Sequence, residues 1–363
     1  MSDRPQPIAC FISSHGFGHA ARAASVMLSL GRRLREQHFE IFTEVPQWFF
    51  IEEGIAHTYH CVTTDVGLVQ TSPLSHDIEQ TLTALDCFTA DLDAKAEAMA
   101  ETLHNRQCRL VLCDISPLGI VAARKAGIPS LLMENFTWDW MYTPYAAQHS
   151  AFNKHIEHLR NIFHSSDYLI QTEPVCEKRN ADLFTHPVSR TPRHSRATIR
   201  QQLAVPPQQQ LITITMGGIR GDVNLLDQLT ARRDYTFVLP GSSDTINRVA
   251  NCIILPQHSA FYHPDLINAS DVVVGKLGYS TLSEVYYAGR PYIYVMRDEF
   301  RESAPLASFV EAHMVGLPVQ ASDFEQGHWL DRLPQLLSTA RQKHYHRKGA
   351  EQISDMIVNL LNS

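Results

Sequence analysis

Ile8-Ala9-Cys10-Phe11-Ile12-Ser13-Ser14-His15-Gly16-Phe17-Gly18-His19-Ala20-Ala21-Arg22 is the stretch on which the reading of this chain turns. An apolar run of strand length, 8–12, passes through two glycines and two histidines into a segment with helical spacing. In open α/β folds, ligands gather at the carboxyl ends of the strands. There a glycine turn lets a substrate approach the backbone, and the next helix offers its free N–H groups. His19 opens that helix, so it stands where chemistry is expected. The dinucleotide pattern Gly-x-Gly-x-x-Gly is excluded, because Ala21 holds the third glycine position.

Working outward, short apolar runs at 39–43, 110–113, 130–133 and 168–171 alternate with helix-length segments, the longest being 76–105. This alternation predicts a parallel, doubly wound sheet. Prolines and three glutamines interrupt the apolar periodicity between Phe184 and Gln210, the texture of a linker. Beyond it the alternation resumes at 211–216, 235–239, 253–255, 272–274 and 292–295. The 363 residues exceed what one hydrophobic core organises. The expected organisation is therefore two Rossmann-like domains facing a central cleft: 1–187, a linker at 188–210, and 211–342. A last helix, about 343–363, is expected to return to the first domain.

Composition removes several classes. Hydrophobic residues make up 44% and charged residues 19%, the balance of a globular chain, and no apolar run approaches the about 20 residues of a membrane span. The formal net charge of −7 argues against nucleic-acid binding, and the basic segment Arg190, Arg193, His194, Arg196, Arg200 reads as a solvated linker leading into a helix. The amino terminus lacks the order of a signal peptide, which places the chain in the cytoplasm. Seven cysteines form no C-x-x-C pair and read as reduced small hydrophobes. With 19 histidines, a histidine beside a motif means little unless the fold places it.

Two further turns carry chemistry. Thr215-Met216-Gly217-Gly218-Ile219-Arg220-Gly221-Asp222 joins a strand to a helix, so its amides can face an anion, with Arg220 adding charge; an ordinary tight turn is the plain alternative. Gly275-Lys276-Leu277-Gly278-Tyr279-Ser280-Thr281-Leu282-Ser283-Glu284, followed by Gly289-Arg290-Pro291, also runs from strand to helix. Glu284 lies one turn in and can accept the hydroxyls of a ribose, although Ser/Thr-x-x-Glu spacing also describes a helix cap.

Together these turns resemble GT-B glycosyltransferases, the group of the bacterial peptidoglycan GlcNAc transferase and the plant UDP-glycosyltransferases. A closer likeness is to the glycosyltransferase-like N-terminal half of plant L-arabinokinases. It is carried by His15-Gly16-Phe17-Gly18-His19-Ala20, Asp65-Val66-Gly67-Leu68-Val69-Gln70, Asn135-Phe136-Thr137-Trp138-Asp139-Trp140, Pro264-Asp265-Leu266-Ile267 and Gly275-Lys276-Leu277-Gly278-Tyr279. The chain stops where the kinase half of that family would begin, so arabinose kinase activity is not implied.

The resemblance implies a role for each matching position. His19 is the base that takes the acceptor proton, with Asp114 orienting it; Asp114 alternatively caps a helix. Gly217, Gly218, Gly278, Tyr279, Ser280 and Thr281 hold the diphosphate, Glu284 the ribose, and the segment around His258 and Phe261 the base. Asp298, Glu299 or Glu302 reads the donor sugar, with no choice made among them. His15, Gly16, Phe17, Gly18, Asn135, Trp138 and Asp139 belong to the acceptor side. There the aromatic run either stacks on a planar or sugar acceptor or packs internally. The implied activity is inverting, metal-independent transfer from a UDP-sugar, with no cofactor beyond that co-substrate. The rival readings are a noncatalytic sugar-nucleotide sensor and an epimerase or hydrolase of the same fold. Oligomeric state is not readable.

Overall fold

The computed structural model describes residues 5–72, 74–216, 225–340, 342, 344 and 346–362. The chain divides into two compact units. The first comprises Met1–Val69, His76–Ser189 and His346–Ser363, and the second comprises Gln70–Ser75 and Arg190–Tyr345. Each is an α/β unit with one seven-stranded sheet.

In the first unit the strands run in the order His57–Cys61, Phe39–Thr43, Ile8–Ile12, Leu110–Asp114, Ser130–Glu134, Tyr168–Thr172 and Leu183–Thr185. All neighbours are parallel. The central strands are buried along their whole length, as continuous apolar runs covered on both faces must be. The chain winds outward one way from Ile8–Ile12 and then the other way from Leu110–Asp114. These two strands therefore flank the point where strand order reverses, and Ile12 lies opposite Asp114 in their register. Crevices form at such a reversal because the helices leaving the two strands go to opposite faces. Gly16, at φ 77° and ψ 174°, makes the turn into the helix Phe17–Gly31, a backbone conformation open to glycine.

The helix Gly349–Asn362 belongs to the first unit. It packs against Phe17–Gly31 with Ala350, Ile353 and Ile357 buried, and Asp355 pairs with Arg33 and Arg347.

The second unit repeats the plan, in the order Asn247–Val249, Cys252–Pro256, Tyr235–Ser243, Gln210–Thr215, Val272–Lys276, Tyr292–Val295 and Gly316–Val319. Asn247–Val249 is antiparallel; the other pairs are parallel. Its reversal lies between Gln210–Thr215 and Val272–Lys276, where Gly275 faces Thr215. A Cβ on Gly275 would sit 2.1 Å from the Thr215 carbonyl oxygen, so this close approach requires glycine.

Most of the expected linker folds into the second unit. Its helix Arg196–Gln202 buries Ile199, which packs with Leu203 against Leu211, Val238 and Leu266. The basic segment is anchored by ion pairs although Arg193 and His194 remain exposed, with Arg190, Arg196 and Arg200 half-buried. Arg196 and Arg200 pair with Asp271, and His194 reaches the buried Asp265 at 2.7 Å. No helix among the described residues is long and apolar enough to cross a membrane.

Candidate active site

At the strand reversal of the first unit, the helix Phe17–Gly31 carries His19 and Arg22 on one face, three residues apart. The end of the neighbouring strand carries Asp114. Asp114 Oδ1 accepts from His19 Nδ1 at 2.8 Å and from Arg22 Nη2 at 2.6 Å, while Oδ2 accepts from Arg22 Nε at 2.8 Å. Asp114 and Arg22 are each 1% exposed. Burial pushes the Asp114 carboxyl up, but the charge and hydrogen bonds of Arg22, then those of His19, outweigh it and hold the group below the usual aspartate value. An ionised carboxylate only accepts, so the 2.8 Å contact calls for the proton on Nδ1, with Arg22 Nη2 lying 3.3 Å from the same nitrogen. The lone pair of neutral His19 is then on Nε2. Sequence reasoning paired His19 with Asp114 and missed Arg22, although its i+3 spacing was the available signal.

Of the residues expected to contact the acceptor, Asn135 serves this cluster from inside. Asn135 is fully buried and accepts from Arg22 Nη1 at 2.6 Å. Trp138 is 1% exposed. Its Nε1 donates to Asp65 Oδ2 at 2.6 Å, and its ring lies edge-on to His15 at 5.1 Å. As placed, neither Asn135 nor Trp138 offers a face to an acceptor; the reason is their hydrogen bonds to buried charged partners. Asp139 is also buried, with Oδ2 facing Arg160 Nε at 3.4 Å and Oδ1 without a partner. Phe17 stacks on Phe49 at 5.4 Å; His15 and Gly16 in the turn, and Phe17 and Gly18 at the start of the helix, are partly exposed. Burial raises Asp65 to about 6, against hydrogen bonds from Ser13 and Trp138.

The second unit assembles its own cluster at the carboxyl strand ends. Gly278 precedes the helix Tyr279–Ala288, whose first turn holds Tyr279, Ser280 and Thr281. Glu284, 5% exposed, accepts at Oε1 from Arg190 Nε and Nη2, both at 2.9 Å. It accepts at Oε2 from His263 Nδ1 at 2.7 Å, whose Nε2 meets Thr215 Oγ1 at 3.1 Å. Burial raises the Glu284 carboxyl, but Arg190 and His263 outweigh it and hold it low. Of about four lone-pair sites on a carboxylate, three are taken. That leaves room for one donated bond, not the two of a ribose diol. Neither Arg190 nor His263 was singled out as a partner of Glu284 from sequence.

Of the three candidate sugar readers, Glu302 is buried and paired with Arg297, whereas Asp298 and Glu299 are exposed. Lys276, at the end of the neighbouring strand, is lowered to about 7 by burial and then by Arg297, against Glu302. His258 is exposed, and Phe261 packs beside Ile199 and Leu203. Gly217, Gly218 and Arg220 lie outside the described residues.

Two sheets that each reverse at the centre, with glycine turns leading into helices at both reversals, make this a GT-B fold, the fold of glycosyltransferases. Among solved structures, the chain is similar to the glycosyltransferase of kitacinnamycin (TM-score 0.68, 14% identity, 98% of this chain and 99% of that one). It is also similar to a UDP-glucosyltransferase from Polygonum tinctorium (TM-score 0.65, 14% identity, all of both chains). Among curated proteins it is similar to L-arabinokinase from Arabidopsis thaliana, 27% identical over 339 residues. That match takes in 91% of this chain but 32% of the relative, so the chain spans about a third of the relative's length. No protein-family model matches.

Proposed function

We propose that this chain is a cytoplasmic glycosyltransferase that moves a sugar from a nucleoside-diphosphate sugar, by default a UDP-sugar, to an acceptor hydroxyl with inversion. The observation that carries the reading is the bond from His19 Nδ1 to buried Asp114, which leaves Nε2 as the proton acceptor at the strand reversal of a GT-B first unit.

In this reaction the acceptor hydroxyl gives its proton to His19 Nε2 while its oxygen bonds to the anomeric carbon. The bond from that carbon to the diphosphate breaks, and the diphosphate leaves with the electron pair. Asp114 keeps accepting from Nδ1–H and so holds the ring in place as the imidazolium forms. The second unit receives the leaving group at the amides of Gly278–Thr281, whose N–H groups carry partial positive charge, and at Lys276, protonated as the diphosphate binds, in the place that a divalent metal would fill. Glu284, already held by Arg190 and His263, accepts a single ribose hydroxyl.

A thermal-shift screen over UDP-, dTDP- and GDP-sugars, followed by mass spectrometry of an acceptor mixture incubated with the stabilising donor, tests the proposal. A mass gain of one glycosyl unit on an acceptor supports it. Donor turnover that yields only free sugar, or no binding to any nucleotide sugar, refutes it.

A further inference from the structure

Asp114 presents a problem to a base. A bare carboxylate beside an imidazole in a poorly screened interior strongly favours the imidazolium, and an imidazolium has no lone pair for a proton. The orienting partner of His19 is thus also able to disable it.

Arg22 resolves the conflict by its geometry. Its fork takes both oxygens of Asp114, at 2.6 and 2.8 Å, and its third nitrogen is anchored at 2.6 Å on Asn135. The imidazole consequently faces a neutral ion pair that can still accept one hydrogen bond. We infer that Arg22 is a positioning residue that sets the protonation of His19: it cancels the charge of Asp114 while leaving its oxygen in place to receive Nδ1–H, so Nε2 stays available. This deepens the proposed transfer and rests on it for the use made of that lone pair.

The other ionisable groups around the cluster do not substitute for Arg22. Asp65 adds negative charge near both His19 and Asp114. Glu134 feels Arg22 but is bound by Arg179 at 3.0 Å and Gln171 at 2.8 Å. The buried thiol of Cys113 is pushed up and stays neutral. Among the described residues, the ion pairs of Asp114 are those with His19 and Arg22.

The test needs no substrate. The full chain is labelled with ¹⁵N-histidine, and long-range ¹H–¹⁵N spectra are recorded at pH 7.5, with His19 assigned from the signal missing in His19→Gln. Wild type is expected to show a neutral ring protonated on Nδ1. In Arg22→Met the ratio of imidazolium to neutral His19 is expected to rise about tenfold or more, the effect of removing one opposite charge beside the carboxylate. Arg22→Lys, which keeps the charge and loses the fork, is expected to shift less in the same direction, and it carries the test if Arg22→Met fails to fold. An unchanged His19 spectrum in the folded variant, or a wild-type ring already charged, overturns the inference. Full transfer activity in His19→Ala would instead overturn the base assignment and leave the spectra as they are.

Discussion

The indole nitrogen of Trp138 donates to Asp65 at 2.6 Å, which fixes a tryptophan beside His15 and His19 by means of a buried carboxylate. Among the described residues Asp65 has no ion pair, and burial lifts it to about 6 from the ordinary aspartate value of 3.8. Between those values the folded state binds more protons than the unfolded state, so this group makes stability fall as pH rises. Above pH 6 the cost reaches on the order of 3 kcal/mol. Asp65→Asn keeps the acceptor for Trp138 and removes the titration. Urea unfolding at pH 4 and pH 7.5 is expected to show the variant gaining on wild type by about that amount; a gap independent of pH contradicts the assignment.

His19→Ala removes the base without removing the Arg22–Asp114 pair. Once a donor and acceptor are known, kcat should fall by about 10²–10⁴-fold, the usual contribution of general base catalysis. Donor KM should stay within a small factor, since the donor is assigned to the other unit. A matching collapse of donor affinity would contradict that division.

Arg190 and Glu284 form a buried pair, with side chains 9% and 3% exposed. Arg190→Met leaves the carboxylate with His263 alone and is expected to cost about 3–5 kcal/mol in the unfolding of the second unit. Glu284→Gln, which removes the charge and keeps an acceptor, should cost less. A loss below about 1 kcal/mol for Arg190→Met would mean the pair behaves as though exposed.

Lys276, lowered to about 7, is mostly neutral at pH 8. A diphosphate seated against it stabilises the ammonium, so UDP binding at pH 8 should take up close to one proton. Calorimetry in buffers of different ionisation enthalpy measures that number. Lys276→Met should bring it near zero; uptake that survives the substitution assigns the proton elsewhere.

The sheets were legible because their central strands are continuous apolar runs: 8–12 and 110–113 reappear as Ile8–Ile12 and Leu110–Asp114. The edge strands His57–Cys61 and Leu183–Thr185 were not legible, since half-exposed strands mix polar and apolar side chains. In the site, glycine turns revealed position, and hence His19. Partner choice was harder to read. The i+3 spacing places Arg22 beside His19, but that it reaches Asp114 across 92 positions, or that Arg190 reaches Glu284 across 94, depends on which strands become neighbours. The ion pairs that anchor the basic segment were not legible because its acidic partners Asp265 and Asp271 are remote in sequence.

The helix Gly349–Asn362 closes a unit whose other parts end at Ser189. During synthesis the ribosome makes Arg190–Tyr345, all of the second unit except Gln70–Ser75, in between. At about 5–20 residues per second, the first unit waits roughly 8–30 s for its last helix, with the groove along Phe17–Gly31 uncovered. The helix that bears His19 and Arg22 therefore gains its last packing partner only after the chain of the second unit has been made.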